Sequence, residues 1–250
     1  MKKIKALAIF NALSLLVHVA FSWLTQAKMI NPKTVGEVSA QYESLFTPAP
    51  LTFGIWIIIY TALAVFCLYH IGIAYKHDKN HPANTILLQI DGLFIFLNLA
   101  SAGWLVAWTH GQLFLSVVLI FLQLACLVII HWRLKMYDPL KPATLKVGTQ
   151  FPLSIYLGWL SVAAIANTSS YLVAKNWDGF GLDPSAWAII LISFSIILSA
   201  IMIFIRRNIY FGLVVAWGLY GIIVKRNSIS PELYAPVIIA ASSGIGIIVL

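Results

Sequence analysis

Apolar residues in this chain run in long uninterrupted blocks instead of alternating with polar ones. Blocks of about 16 residues or more fall at 6–25, 51–74, 85–108, 112–132, 151–174, 186–205, 209–224 and 233–250, and Asp91 is the one Asp, Glu, Lys or Arg inside any of them. A helix needs roughly 20 apolar residues to cross the hydrocarbon core of a bilayer. Lipid offers no partner for an unpaired backbone group, so only helices and closed barrels span it. A barrel would show short segments of alternating polarity, and none is seen. The pattern therefore predicts an all-α integral membrane protein with about eight transmembrane helices. The seventh block is short, but joining it to the sixth would set Arg206 and Arg207 at the bilayer centre, at high cost. Ser242, Ser243 and Gly244 weaken the eighth.

Composition supports the same class. Of 250 residues, 61% are hydrophobic and 10% charged, whereas a water-soluble domain carries about a quarter charged. Eight spans leave no room for a soluble catalytic domain. The net charge of +8 does not indicate a nucleic-acid binder, because the cations sit at the ends of apolar blocks and set topology. With the N-terminus inside, eleven fall on the inner side (Lys2, Lys3, Lys5, Lys76, Lys79, Arg133, Lys135, Lys141, Lys146, Arg206, Arg207) against five outside (Lys28, Lys33, Lys175, Lys225, Arg226). This bias predicts a cytoplasmic N-terminus in a bacterial-type plasma membrane, with Lys225-Arg226 running against it. The first block is longer than a secretion signal's apolar core, and Thr25-Gln26-Ala27 is a poor cleavage site, so it reads as a retained helix. Cys67 and Cys126 lie inside apolar blocks without a CxxC partner, which argues against a disulfide or zinc site.

The longest connection, roughly 26–50, carries Glu37, Tyr42, Glu43 and Phe46 and ends in Thr47-Pro48-Ala49-Pro50. Loops of this length in a compact bundle are functional lids or linkers, and its prolines stiffen the return into the second span.

Candidate chemistry is sparse. Nine tryptophans exceed the needs of an interfacial belt. Trp23, Trp132, Trp177 and Trp187 fit that belt, whereas Trp56 and Trp159 lie inside spans, and Trp104 and Trp108 share a helix face four residues apart. Aromatics at depth serve as core packing or as ligand walls. Asn98 and Asn167 are amides at depth that must face partners in the bundle, as interhelical hydrogen bonds or ligand contacts. His70, Asp91 and His131, with Arg133, could form one polar layer, Asp91 pairing with His70 or Arg133. His18 is a lone histidine at depth, the usual sign of a hydrogen bond and not of a metal or haem ligand. No HExxH, GxSxG, phosphate loop or carboxylate pair is present, so no catalytic or metal residues are assigned. Val215, Tyr220 and Lys225 fit a loose cholesterol-contact pattern that recurs by chance.

The fifth span reads Tyr156-Leu157-Gly158-Trp159-Leu160-Ser161-Val162-Ala163-Ala164-Ile165-Ala166-Asn167. The second follows Pro48 and Pro50 with Phe53, Trp56 and Tyr60, and the third carries Gln89 and Asn98 ahead of its tryptophans. These runs resemble the TspO/MBR family, the tryptophan-rich sensory proteins and mitochondrial translocator proteins. Ser101 departs from it, standing where that family has a tryptophan. Three spans beyond residue 175 have no counterpart in the five-helix proteins.

The resemblance implies a TspO-like five-helix bundle over 1–175, an additional three-helix segment over 176–250, and a pocket beneath the first loop for porphyrins, sterols or aromatic drug-like molecules. Phe53, Trp56, Tyr60, Tyr156 and Trp159 would wall it with Trp104 and Trp108, Asn98 and Asn167 would anchor the ligand, and 31–50 would be the lid. The expected function is a membrane receptor or binding protein for a planar hydrophobic ligand, with a sensing or transport role. No cofactor is required, a tetrapyrrole is the candidate bound molecule, and membrane lipid and a homodimer mate are the expected partners. The alternatives are a secondary transporter or channel using Asp91, and a membrane enzyme that degrades a bound porphyrin.

Overall fold

The computed structural model describes residues 1–136 and 142–249. Lys141 in the charge tally and Leu250 at the end of the eighth block lie outside the described residues. In chain order the helices are α1 (Lys2–Gln26), α2 (Val35–Gln41), α3 (Pro50–Lys76), α4 (Pro82–Ile90), α5 (Leu93–Thr109), α6 (Leu113–Leu134), α7 (Ala143–Ala174), α8 (Pro184–Ile205), α9 (Ile209–Ile229) and α10 (Ala235–Val249). Every predicted block is helical. Among the described residues six helices are long and apolar enough to cross a membrane, and the count is seven if α4 and α5, bent by 53°, are taken as one broken span. The eighth block yields only the 15-residue α10, shorter than a straight crossing requires.

The outward faces of these helices are as apolar as the inward ones. Phe10, Leu16, Ile57, Phe204 and Ile205 are all exposed, and only lipid covers such a continuous surface without penalty. The protein is thus an integral, multi-pass membrane protein.

The bend between α4 and α5 has a cause in the sequence. Asp91 takes a left-handed backbone (φ +49) ahead of Gly92, a conformation non-glycine residues rarely hold. Its carboxylate is exposed and meets Lys3 Nζ at 3.2 Å. A carboxylate is expensive in hydrocarbon. Here the helix breaks at the acid, and α1 supplies a cation. Asp91, inside the third apolar block of the sequence, thus stands at the break between two helices.

The chain forms two compact units, Met1–Thr34 with Trp56–Leu157, and Val35–Ile55 with Gly158–Leu250. In the first, α5 packs on α6 and α1. Ile4 and Ala8 of α1 meet Ala74 of α3 and Leu87 of α4 in one apolar cluster. The inward stripe of α1 is Ile4, Leu7, Ala8, Asn11, Ser14, Leu15 and His18, the three-to-four spacing of one helical face. Helix α7 widens into a π-turn at Lys146–Gln150. That wider turn immediately precedes Pro152, which lacks an N–H and would clash with the carbonyl four residues back. There Gly148 lies so close to the Tyr69 ring that a β-carbon would stand 2.7 Å from it.

In the second unit α9 packs on α10, and α10 on α8. Helix α8 ends at Ile205, Arg207 takes a left-handed turn, and Asn208 Oδ1 caps α9 by accepting from Phe211 N. The sixth and seventh blocks are therefore separate helices, divided at the two arginines.

Candidate functional site

Within the first unit, the inward stripe of α1 points His18 toward the neighbouring helices, where it is 1% exposed. Its Nδ1 lies 3.1 Å from Asn98 Oδ1 of α5. Asn98 donates its own Nδ2 to Phe94 O at 2.8 Å. A carbonyl can only accept, so the amide orientation is fixed and Asn98 Oδ1 is the acceptor facing His18. His18 must then carry its proton on Nδ1, leaving the Nε2 lone pair toward the Tyr60 hydroxyl of α3 at 3.4 Å.

Aromatic rings close around this pair. Tyr60 and Trp56, one helical turn apart, stack on each other at 5.1 Å. Both stand edge-on to His18, at 5.2 and 5.9 Å between ring centres. Tyr156 of α7 lies nearly parallel to the imidazole at 6.4 Å and meets Trp56 at 5.9 Å. These distances are those of favourable aromatic contacts. Tyr156 is fully buried, and its hydroxyl lies 2.8 Å from Ser101 Oγ. Ser101 Oγ also reaches Gln123 Oε1 and Leu97 O, each at 2.8 Å. The assignment that satisfies most groups has Tyr156 donating to Ser101, which passes its own proton to one of those oxygens. Ser101, where the resembled family has a tryptophan, is here the bolt that holds the Tyr156 ring.

The second unit gathers other expected residues. Phe53 meets Trp159 edge-on at 6.0 Å, and Trp159 is buried. The first loop is strapped along α9 by specific contacts. Glu43 pairs with Lys225 at 2.9 Å and with buried Arg226. Ala49 N donates to Gly221 O at 2.9 Å, and Trp217 Nε1 donates to Thr52 O at 3.0 Å. Gly221 leaves the room this needs, since a β-carbon there would run into Thr52 and Pro48. Partial burial pushes the Glu43 carboxyl up, but hydrogen bonds and charge from Lys225 and Arg226 outweigh it and hold the group below the usual carboxylate range. The two cations that run against the topological bias are the two that pair with Glu43.

Trp104 and Trp108 stack on each other at 5.6 Å along α5, with Trp108 buried. Asn167 is buried in α7. The polar layer does not assemble around Asp91. His70 Nε2 pairs with Thr149 Oγ1 at 3.0 Å, His131 Nδ1 with Leu127 O of its own helix, and Arg133 donates to Gln89 O, while Asp91 takes Lys3. The sequence marks His18 only as a hydrogen-bonded histidine and Arg226 only as a cation against the charge bias, and it gives no sign of Trp217; His18 does make its hydrogen bond, to Asn98.

The structure is that of a multi-pass helical membrane protein with a buried amide–imidazole pair inside an aromatic cage. The family model described as TSPO-like protein matches residues 8–250, and the chain belongs to the TSPO-like family, whose membership points to a membrane ligand-binding or sensing protein. The match continues through α8, α9 and α10, the spans the five-helix resemblance leaves without a counterpart. Among curated proteins and among solved structures, nothing matches the chain.

Proposed function

We propose that this protein is a membrane receptor or binding protein for a planar hydrophobic molecule, with a tetrapyrrole as the first ligand to test, and that it senses or moves that ligand. The observation that carries the reading is the cage of Trp56, Tyr60 and Tyr156 around the His18–Asn98 pair. Apolar sites with a few convergent polar groups bind small molecules, the rings supplying stacking area and the polar pair orientation. Asp91 gives a transport pathway little support, since it is exposed and paired with Lys3. An enzyme reading would need a reactive set that the sequence does not offer.

The test is titration of the purified protein in lipid nanodiscs with protoporphyrin, followed by quenching of tryptophan fluorescence, with an unrelated membrane protein as control. Saturable quenching with a Kd on the order of micromolar or tighter is expected, weakened about tenfold in Trp56→Ala and Asn98→Ala. Non-saturating quenching equal to the control would remove the tetrapyrrole from the reading.

A further inference from the structure

We propose that His18 is the specificity-determining residue of this cage and that it selects planar aromatic molecules carrying an N–H or O–H donor at one edge. The inference rests on the binding reading above and names the ligand chemistry that the reading leaves open.

The His18 tautomer is fixed by its neighbour. Because Asn98 Nδ2 is committed to Phe94 O, Asn98 Oδ1 takes the Nδ1 proton of His18, and Nε2 is left as an acceptor only. An acceptor buried at bilayer depth needs a donor, and the group that faces it is the Tyr60 hydroxyl. That contact is 3.4 Å long, well beyond the 2.5–3.0 Å of ordinary hydroxyl hydrogen bonds. The Tyr60 hydroxyl also has a second partner, Ser22, which lies one turn beyond His18 on the same helix. Tyr60 can thus keep its hydrogen bond to Ser22 while Nε2 turns to another donor. The lone pair is held in place and weakly engaged.

The surroundings define what that donor is attached to. Trp56 and Tyr60 present their rings at 84° and 88° to the imidazole, and Tyr156 lies at 28° to it. Such walls suit a flat aromatic ring, whose in-plane N–H or O–H would take the place of the Tyr60 hydroxyl at Nε2. A ligand edge that carries a bare acceptor meets the Nε2 lone pair head-on. A polar site that must hydrogen-bond its ligand discriminates more strongly than an apolar one, since the wrong ligand leaves a buried group unpaired.

Carbazole and dibenzofuran test this directly. They share one tricyclic shape and differ in that carbazole has a ring N–H where dibenzofuran has an oxygen. Binding of each to the full-length protein in nanodiscs is measured by equilibrium dialysis against empty nanodiscs, which removes simple partition into lipid. Wild-type protein is expected to bind carbazole about tenfold more tightly, the worth of one well-made hydrogen bond. In His18→Phe the two bind alike. In Asn98→Leu, which frees the imidazole to rotate and exchange tautomers, the preference shrinks. Saturable binding of both probes with equal affinity in the wild type overturns the role of His18 and leaves the binding cage standing. Failure of both probes to saturate overturns the cage as a binding site, and the inference with it. The wild-type comparison needs no variant, so it decides even where His18→Phe does not fold.

Discussion

Burying an imidazole among helices in a bilayer is tolerable only when its two nitrogens find partners, and at His18 those partners come from two other helices. Asn98 settles the Nδ1 side and Tyr60 the Nε2 side. The first contact is of ordinary length and the second is long, and the difference has a measurable consequence. Tyr60→Phe keeps the ring and removes the competing hydroxyl. It is expected to tighten carbazole binding severalfold and to leave dibenzofuran unchanged, by the same dialysis measurement. Carbazole affinity that falls in Tyr60→Phe would mean that the phenol itself binds the ligand. The sequence marked Trp56, Tyr60, Asn98 and Tyr156 through their depth in apolar blocks and their resemblance to a known pattern. It could not mark His18 as their hub, because the hub is made by side chains separated by 42, 80 and 138 positions along the chain.

Among the elements, the first loop shows most clearly how a local sequence is given its role by a distant one. Its prolines and Thr47 promise a stiff approach to α3, but nothing in residues 35–55 says what the segment lies on. Helix α9 answers through Arg226, Gly221 and Trp217, which take Glu43, Ala49 and Thr52 in antiparallel order. Breaking this strap at its ionic end is costly, because Arg226 is buried and loses its charge partner. Glu43→Gln is expected to destabilise the protein by about 2 kcal/mol, seen as a lowered unfolding temperature in detergent, with a much smaller loss on an Arg226→Met background. Additive losses would mean that the pair is not coupled. The carboxyl is held below its usual range in the folded protein. Its contribution is therefore complete at neutral pH and is lost as pH falls through and below the ordinary glutamate range. The Glu43→Gln variant should accordingly show a flatter stability profile across that acid window. At the other end of the strap, Gly221→Val should detach Thr52 and Pro48 while leaving the helix itself formed, which limited proteolysis of the 35–55 segment would report.

The whole molecule is tested by how its helices cross the membrane. Helices α1, α3, α7 and α8 are each long and apolar enough to cross. Lys28→Cys and Asp78→Cys are expected on opposite faces of the membrane, as are Asp178→Cys and Arg206→Cys, when intact vesicles are labelled with an impermeant maleimide. The native Cys67 and Cys126 are both buried and should add little background. Labelling of Lys28→Cys and Asp78→Cys from the same face would show that α1 or α3 does not cross. Charge reversal tests the break at Asp91. Asp91→Lys alone should set two cations together and destabilise, and adding Lys3→Asp should recover stability.

The cost of transfer into lipid makes one part of this structure legible in the order of residues alone. Long apolar blocks, with charges expelled to their ends, specify helices and their approximate limits, since an unpaired backbone or an ion in hydrocarbon is too costly for any other arrangement. That is why all eight blocks are helical and why α8 and α9 part at Arg206-Arg207. Which faces meet is a different matter. The outer and inner faces of these helices are equally apolar, so no amphipathic stripe says where a partner lies. Packing is then decided by shape and by the few polar side chains that must pair. Gly148 against Tyr69, Gly221 against Thr52, Asp91 with Lys3, Glu43 with Arg226, and His18 with Asn98 are all such decisions. Each joins residues far apart in the chain. Tertiary packing alone settles them, because their free energy comes from close approach and mutual desolvation, which exist only once the helices have assembled.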